Sequence, residues 1–217
     1  MNIRFILALL FMLGFGFNSM AQTISVGPRL GVNFGTQKIP GSDADFAKNW
    51  NDNAEANTGL QIGGVANIKF NETFSVQPEL LFTQKGYKYE GDTRSVTGKY
   101  DYLELPVLAK ISFGSPDFQG FITAGPTFGY WASGKDTYKI GGSEFSEDVD
   151  FDNDNYIENR SEIGGSIGVG FAAYLGGGSL NFDVRYGAGF SSVYDSSDDD
   201  KLKNRGISVS LAYLFSL

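Results

Sequence analysis

The chain has 217 residues and a formal charge of −8, with no cysteine and no histidine. The missing cysteines exclude a disulfide framework and thiolate chemistry, and the missing histidines remove the commonest general base and metal ligand. An acidic balance of this kind argues against a nucleic-acid partner.

In chain order, Met1 to Arg4 is basic, Phe5 to Phe17 is almost wholly apolar, and Ser19-Met20-Ala21 places small residues at a signal-peptidase site. The pattern predicts a cleaved signal peptide over residues 1–21, too short and wrongly flanked for a membrane span, and one domain over 22–217. No later run approaches the roughly 20 apolar residues of a spanning helix, so membrane residence would require a closed sheet.

Period-two alternation then predicts eight strands. The first, Ile24–Thr36, sets Ile24, Val26, Leu30, Val32 and Phe34 against Ser25, Arg29, Gly31 and Asn33. The second, about Thr58–Phe70, sets Leu60, Ile62 and Ile68 against Gln61, Gly63, Asn67 and Lys69. In the third, about Thr73–Gly86, Phe74, Val76, Leu80 and Phe82 oppose Gln77, Glu79, Thr83 and Lys85. The fourth, about Tyr100–Phe113, has Leu103, Leu105, Val107 and Ile111 opposite Tyr102, Glu104, Leu108 and Lys110; the fifth, about Gly120–Ser133, has Ile122, Phe128 and Tyr130 opposite Thr123, Gly125 and Thr127. The sixth, about Glu162–Leu175, sets Ile163, Ile167, Val169 and Phe171 against Gly164, Ser166, Gly168 and Gly170. The seventh, about Ser179–Val193, sets Leu180, Phe182, Val184 and Tyr186 against Asn181, Asp183 and Arg185. The eighth, from Arg205 to the end, sets Ile207, Val209, Leu211, Tyr213 and Phe215 against Ser208, Ser210 and Ala212.

Each segment exceeds the roughly 9–11 residues with which a tilted strand crosses a bilayer. Short connections (Asn71-Glu72, Gly114–Gln119, Gly176–Gly178) alternate with long ones (Gln37–Asn57, Tyr87–Lys99, Gly134–Ser161, Tyr194–Asn204), as in an outer-membrane barrel. A soluble lipocalin also has eight alternating strands, with its apolar face inward. Glycines crowd the polar face here, bulky apolar groups fill the other, and the last strand ends in alternating bulky residues like those read by barrel-assembly machinery. The expected fold is therefore an all-β, eight-stranded antiparallel transmembrane barrel with short periplasmic turns and long outer loops. Pro28, Pro78, Pro106 and Pro126 fall inside strands, where local bulges are expected.

Several stretches resemble the PorT-like outer-membrane β-barrel family: Asp101-Tyr102-Leu103-Glu104-Leu105-Pro106-Val107-Leu108-Ala109-Lys110, Gly27-Pro28-Arg29-Leu30-Gly31-Val32-Asn33, Gln77-Pro78-Glu79-Leu80-Leu81-Phe82 and Ala124-Gly125-Pro126. The resemblance runs from Thr23 to Leu217. It implies an eight-stranded barrel in the outer membrane and makes the prolines a shared habit. It does not fix a function; some members are linked to protein secretion.

Three constellations are candidates for function. Arg29, Lys69, Lys85, Lys110 and Arg185 would meet Glu79, Glu104 and Asp183 inside the barrel, either as a structural plug or as an ion path. Phe46 and Trp50 lie four apart in the first long loop; a short helix would put them on one face, capping the mouth or contacting a partner. Asp150, Asp152 and Asp154 are spaced like the start of a calcium loop, but Asn155 stands at position six and Ser161 at position twelve. The expected reading there is a solvated, mobile acidic loop that loosely gathers divalent ions near lipopolysaccharide. Serines lack a visible base, no carboxylate pair stands out, and no cofactor is implied. The leading expectation is a non-enzymatic structural or accessory component of an envelope complex, in contact with outer-membrane lipid and lipopolysaccharide. The alternatives are a narrow channel or transporter and a soluble lipocalin-like binder.

Overall fold

The computed structural model describes residues 23–40, 45–91, 94–151, 160–192 and 201–217; the expected signal peptide lies outside them. The elements are β1 (Thr23–Lys38), α1 (Asp45–Asn53), β2 (Ala54–Lys69), β3 (Phe74–Glu90), β4 (Arg94–Gly114), β5 (Phe118–Ile140), β6 (Ser143–Asp148), β7 (Ser161–Leu175), β8 (Gly178–Gly189) and β9 (Lys203–Ser216). All pairings are antiparallel. β1 pairs with both β2 and β9, and β4 pairs with β5, so eight strands close into a ring with no unpaired edge. β6 pairs only with the outer end of β5 and stands outside the ring.

Three tight turns define one rim. At the first, the Asn71 side-chain oxygen accepts the backbone N–H groups of Thr73 (2.9 Å) and Phe74 (2.7 Å), an Asx turn that fixes the β2–β3 register. At the third, Gly176 and Gly177 both take positive φ, which their missing Cβ permits.

Burial is inverted relative to a water-soluble sheet. Leu30, Ile62, Leu80, Leu103, Ile122, Ile167, Val169 and Leu211 are exposed around the outside, while Arg29, Gln61, Glu79, Thr123, Asp183, Arg185 and Ser210 are buried within. A belt of this size facing outward on every ring strand fits hydrocarbon, not water. Aromatics mark its margins: Phe74, Phe113, Phe118 and Phe215 near the turn rim, Tyr130, Tyr186 and Phe190 near the opposite one.

Three expectations need correction. None of the four prolines shifts the register: pairing is interrupted beside Pro28, Pro78, Pro106 and Pro126, and each interruption resumes in step. A one-residue slip would turn the remaining side chains of that strand to the wrong face, so losing one ladder bond costs less than a bulge. The two register shifts lie elsewhere, between Ala56 and Gln61 and between Asp101 and Tyr102, near the outer rim. Second, the Tyr87–Lys99 stretch is not a loop: β3 and β4 continue, pairing from Tyr87↔Gly98 to Glu90↔Ser95, leaving a connection of residues 91–93. Third, the start of Gly134–Ser161 is ordered as a hairpin of β5 and β6, not a mobile acidic loop; Lys139 and Glu144 pair at 2.9 Å, and Lys135 and Asp148 at 3.3 Å. Alternating lysines and carboxylates on facing strands make strand pairing favourable there, which a reading by apolar alternation overlooks. β8 ends at Gly189, four residues short of its expected end.

Because the outer face meets lipid along the ring and water above it, one charge has different consequences at the two heights. Leu30→Lys should lower unfolding stability in lipid vesicles by about 2–4 kcal/mol, whereas Thr97→Lys, on the same face above the rim, should change it by no more than about 0.5 kcal/mol. Urea titration of both variants in the same vesicles checks this.

Candidate functional site

The ring's interior is filled in layers. At the centre, Arg29 from β1 grips Asp183 on β8 with two parallel bonds of 2.9 and 2.6 Å, and Arg185 grips Glu79 on β3 with two of 2.8 and 2.9 Å. The pairs interlock: Arg185 Nε lies 3.0 Å from Asp183, close enough for an ion pair but not aligned as a hydrogen bond, and Arg29 lies 3.7 Å from Glu79. Gln77 donates to Glu79 at 2.6 Å, and the Ser210 hydroxyl donates to Asp183 at 3.1 Å while accepting from Arg29. Two guanidiniums and two carboxylates thus form a neutral, buried, doubly bidentate plug. Side chains on strands remote in sequence meet because a narrow ring brings opposite walls within reach.

Glycine makes the room. A Cβ on Gly168 would lie 2.5 Å from the Arg185 side chain, and one on Gly170 would lie 2.3 Å from the Phe182 carbonyl oxygen and 2.5 Å from the Phe121 ring. At these two positions glycine leaves the space into which Arg185 and Phe121 of the neighbouring strands fold.

Towards the outer rim, Lys85 bridges Glu104 (2.8 Å) and Glu162 (2.5 Å), and its ammonium lies 4.5 Å from the centre of the Tyr102 ring. Asn204 donates to Glu162 at 2.5 Å and to the Tyr102 hydroxyl at 3.1 Å. Between this layer and the plug is a cavity of about 70 Å³ bordered by Gln61, Glu104, Glu162 and Ser166, room for a few waters.

Above it, Tyr100, Tyr102 and Trp131 form a buried aromatic cluster with Tyr87, Val149 and Phe151 packed on it. Trp131 meets Tyr100 edge-on at 4.8 Å and Phe151 at 5.1 Å; Arg160 lies over Phe151 at 3.8 Å and donates to the carbonyls of Trp131 and Ala132. The register shift at Asp101/Tyr102 adds one residue to β5, which lets Trp131 and Gly134 both face inward.

Towards the turn rim the charge is unbalanced. Lys110 donates to Asn181 at 3.1 Å and sits 3.8 Å over the Phe121 ring; Lys69 donates to the Tyr174 hydroxyl at 2.6 Å, which donates to Gln119 at 2.9 Å. Lys69, Ser112, Gln119 and Tyr174 border an open vestibule of about 660 Å³.

The sequence-predicted interior residues are thus all inside, but they divide. Arg29, Glu79, Asp183 and Arg185 form one unit, Lys85 and Glu104 a second, and Lys110 and Lys69 stand apart from both. Glu162 and the aromatic cluster complete the upper layers and were not singled out from sequence, although Glu162 shares its face with Gly164, and Trp131 shares its face with Gly129.

At the outer mouth the helix carrying Phe46 and Trp50 is present as α1. Asn51 ties it down by accepting from the Ile39 N–H (2.9 Å) and donating to the Ile39 carbonyl (2.8 Å). Trp50 is not an exposed anchor: its indole donates to the Gln37 carbonyl at 3.1 Å and packs on Tyr87 (5.0 Å) and Tyr89 (5.5 Å), because those rings offer more contact than water does. Phe46 remains exposed. Of the calcium candidates, Asp152 and Asp154 lie outside the described residues, and among the described residues no group of acidic side chains is arranged to hold a metal.

The family model for the outer membrane protein beta-barrel domain matches residues 20–195. Among solved structures, the attachment invasion locus protein Ail of Yersinia pestis, crystallised with the heparin analogue sucrose octasulfate, is 15% identical with a TM-score of 0.42, covering 90% of this chain and 100% of its own. OprG of Pseudomonas aeruginosa is 11% identical with a TM-score of 0.47, covering 90% and 95%. The protease OmpT of Escherichia coli is 10% identical with a TM-score of 0.30, covering 93% and 99%. Among curated proteins, none matches the chain.

Removing one carboxylate from the plug leaves a buried guanidinium uncompensated. Glu79→Gln should cost about 3–5 kcal/mol in urea unfolding, while Glu79→Leu combined with Arg185→Met should cost clearly less than that single change. Folding of each variant is followed by the gel-mobility shift between heated and unheated samples.

Proposed function

The chain belongs to the outer membrane protein β-barrel domain family and resides in the outer membrane; from that premise we propose that it is a non-catalytic barrel whose working surface is its outer mouth, acting as a structural or accessory component of an envelope complex. The observation that carries this reading is the filled lumen. A neutral plug, a second ionic layer and an aromatic cluster occupy successive levels of the ring, while strands β3 to β6 and α1 build an ordered platform beyond them. A protein that spends its interior on packing and its outer end on presented side chains is suited to contact, not transit.

The Leu103-Glu104-Leu105-Pro106 stretch supports placement near the PorT-like barrels and a secretion-related process. The masses of apolar surface on the outside favour contact with lipid and lipopolysaccharide, and entry through the barrel-assembly machinery after export by a leader of residues 1–21. The absence of histidine favours a non-catalytic role.

Affinity capture from outer membranes in mild detergent, with a tag in the stretch 194–204, should recover a stoichiometric envelope partner, and planar-bilayer recording of the purified protein should give no stable wide conductance. Recovery of the barrel alone together with a steady open channel would replace this reading with that of a narrow transporter.

A further inference from the structure

Above the outer rim the polarity of the sheet reverses. In the ring, apolar side chains point out and polar ones in. In the extension the outward face carries Lys88, Glu90, Thr97, Lys99, Lys135, Thr137, Lys139, Glu144 and Asp148, while the inward face carries Tyr87, Tyr89, Val96, Tyr138, Ile140 and Phe145 together with the charged Arg94, Asp136 and Glu147. Register alignment puts Tyr89, Val96, Tyr138 and Phe145 in one row across four strands, since Tyr89 pairs with Val96, Val96 with Tyr138 and Tyr138 with Phe145.

α1 covers only the start of that row: Trp50 stacks on Tyr89, and the small cavity between α1 and the sheet ends at Arg94 and Val96. At the far end Phe145 stacks on Tyr138 at 5.1 Å yet is 46% exposed, and Ile140 beside it is 49% exposed. These residues stand above the lipid belt, so hydrocarbon does not account for them.

The row ends at β6, whose second edge pairs with no strand among the described residues. All six of its residues are exposed and three are carboxylates, a short, charged edge that discourages pairing with neutral or acidic strands. Charge selects what it would accept. Glu144 and Asp148 on the outward face are matched by Lys139 and Lys135, but Glu147, on the apolar face, makes no ion pair among the described residues and sits across from Asp136. Burial first, and then the Asp136 and Glu147 carboxylates, raise the Tyr138 hydroxyl above the ordinary tyrosine value.

We propose that β6 and the apolar row behind it form a docking site for an extended segment of another protein, which adds a strand at the β6 edge with an apolar side chain beside Phe145 and a lysine or arginine beside Glu147. Backbone pairing supplies the register and the two flanking side chains supply selectivity. A second copy is disfavoured, because pairing β6 with itself would bring the carboxylates of Glu144, Glu147 and Asp148 against their own kind. The proposal rests on the accessory reading above and names the surface it uses.

The test uses the full barrel in lipid nanodiscs and two labelled eight-residue probes: threonine alternating with, in turn, phenylalanine and lysine, and a twin with glutamate for lysine. By fluorescence anisotropy at low salt the lysine probe should bind at least about tenfold more tightly than its twin, with the gap shrinking as salt rises. Glu147→Lys should reverse the preference, and Phe145→Asp should weaken both. Unchanged preference in Glu147→Lys, or equal binding of both probes to the unmodified barrel, overturns the proposal; the gel-mobility shift on heating confirms that each variant is folded. Affinity capture that still recovers a stoichiometric partner through Glu147→Lys and Phe145→Asp would also overturn this surface while leaving the accessory reading intact.

Discussion

In hydrocarbon no water is present to satisfy a backbone N–H or carbonyl, and a sheet that crosses a bilayer must therefore close on itself. Here closure is made by the pairing of β1 with β9, at the two ends of the described chain, and much else follows from it. Eight strands enclose a ring just wide enough for its own side chains to fill, so the inward face packs like a core while keeping a polar surface. Arg29, Glu79, Asp183 and Arg185 solve that problem as an interlocked neutral set. Their geometry depends on glycines on the neighbouring strand β7, since side chains at Gly168 and Gly170 would take the space that Arg185 and Phe121 fill. The plug is therefore better understood as the polar equivalent of a hydrophobic core than as a site of chemistry.

The same closure explains why four prolines are tolerated. In an open sheet a proline is confined to edges, because it lacks the donor for one neighbour. In a ring each strand is held on both sides, and the pairs flanking a missing rung fix its register. Pro28 stays aligned with Gly64 on β2 while its pairing to β9 lapses for two residues and resumes in step. Register shifts appear only near the outer rim, where the lipid no longer requires the outward face to be apolar and a change of face does no harm. There the shift at Asp101/Tyr102 has a use, since it turns Trp131 and Gly134 to the same side and lets the indole cover the ionic layer below.

The ring was readable because lipid enforces a strict two-residue period: Leu30 and Arg29, Leu80 and Glu79, and Val184 and Asp183 each part to opposite sides as alternation requires. That the charged residues lie inside was readable for the same reason. Their partners were not, because Arg29 meets Asp183 across 154 positions of sequence and alternation says nothing about which opposite wall a side chain reaches. The extension beyond the rim was misjudged as loop because its alternation is inverted and its polar face is rich in charge, so Lys135, Lys139, Glu144 and Asp148 resemble a solvated connection until the strands are paired. Tyr87, Tyr100, Tyr102 and Trp131 fell on the polar face by simple parity, and their shared side was the available sign that the outer mouth is packed.

That inversion also bears on where selection for contact would act. A barrel that ended at the lipid boundary would need only short loops there. Instead β3, β4 and β5 run on past the rim, and their inner row of Tyr89, Val96, Tyr138 and Phe145 is covered by α1 at one end only. An apolar row on a water-facing sheet has a cost unless something packs on it, and its ladder with β5 holds β6 where the far end of the row lies beside an edge that no strand among the described residues pairs. Deleting β6 would not touch the ring, the plug or the lipid belt. Among the described residues β6 takes no part in the closure of the ring, which fits the proposed recognition element better than a role in holding the protein in the membrane.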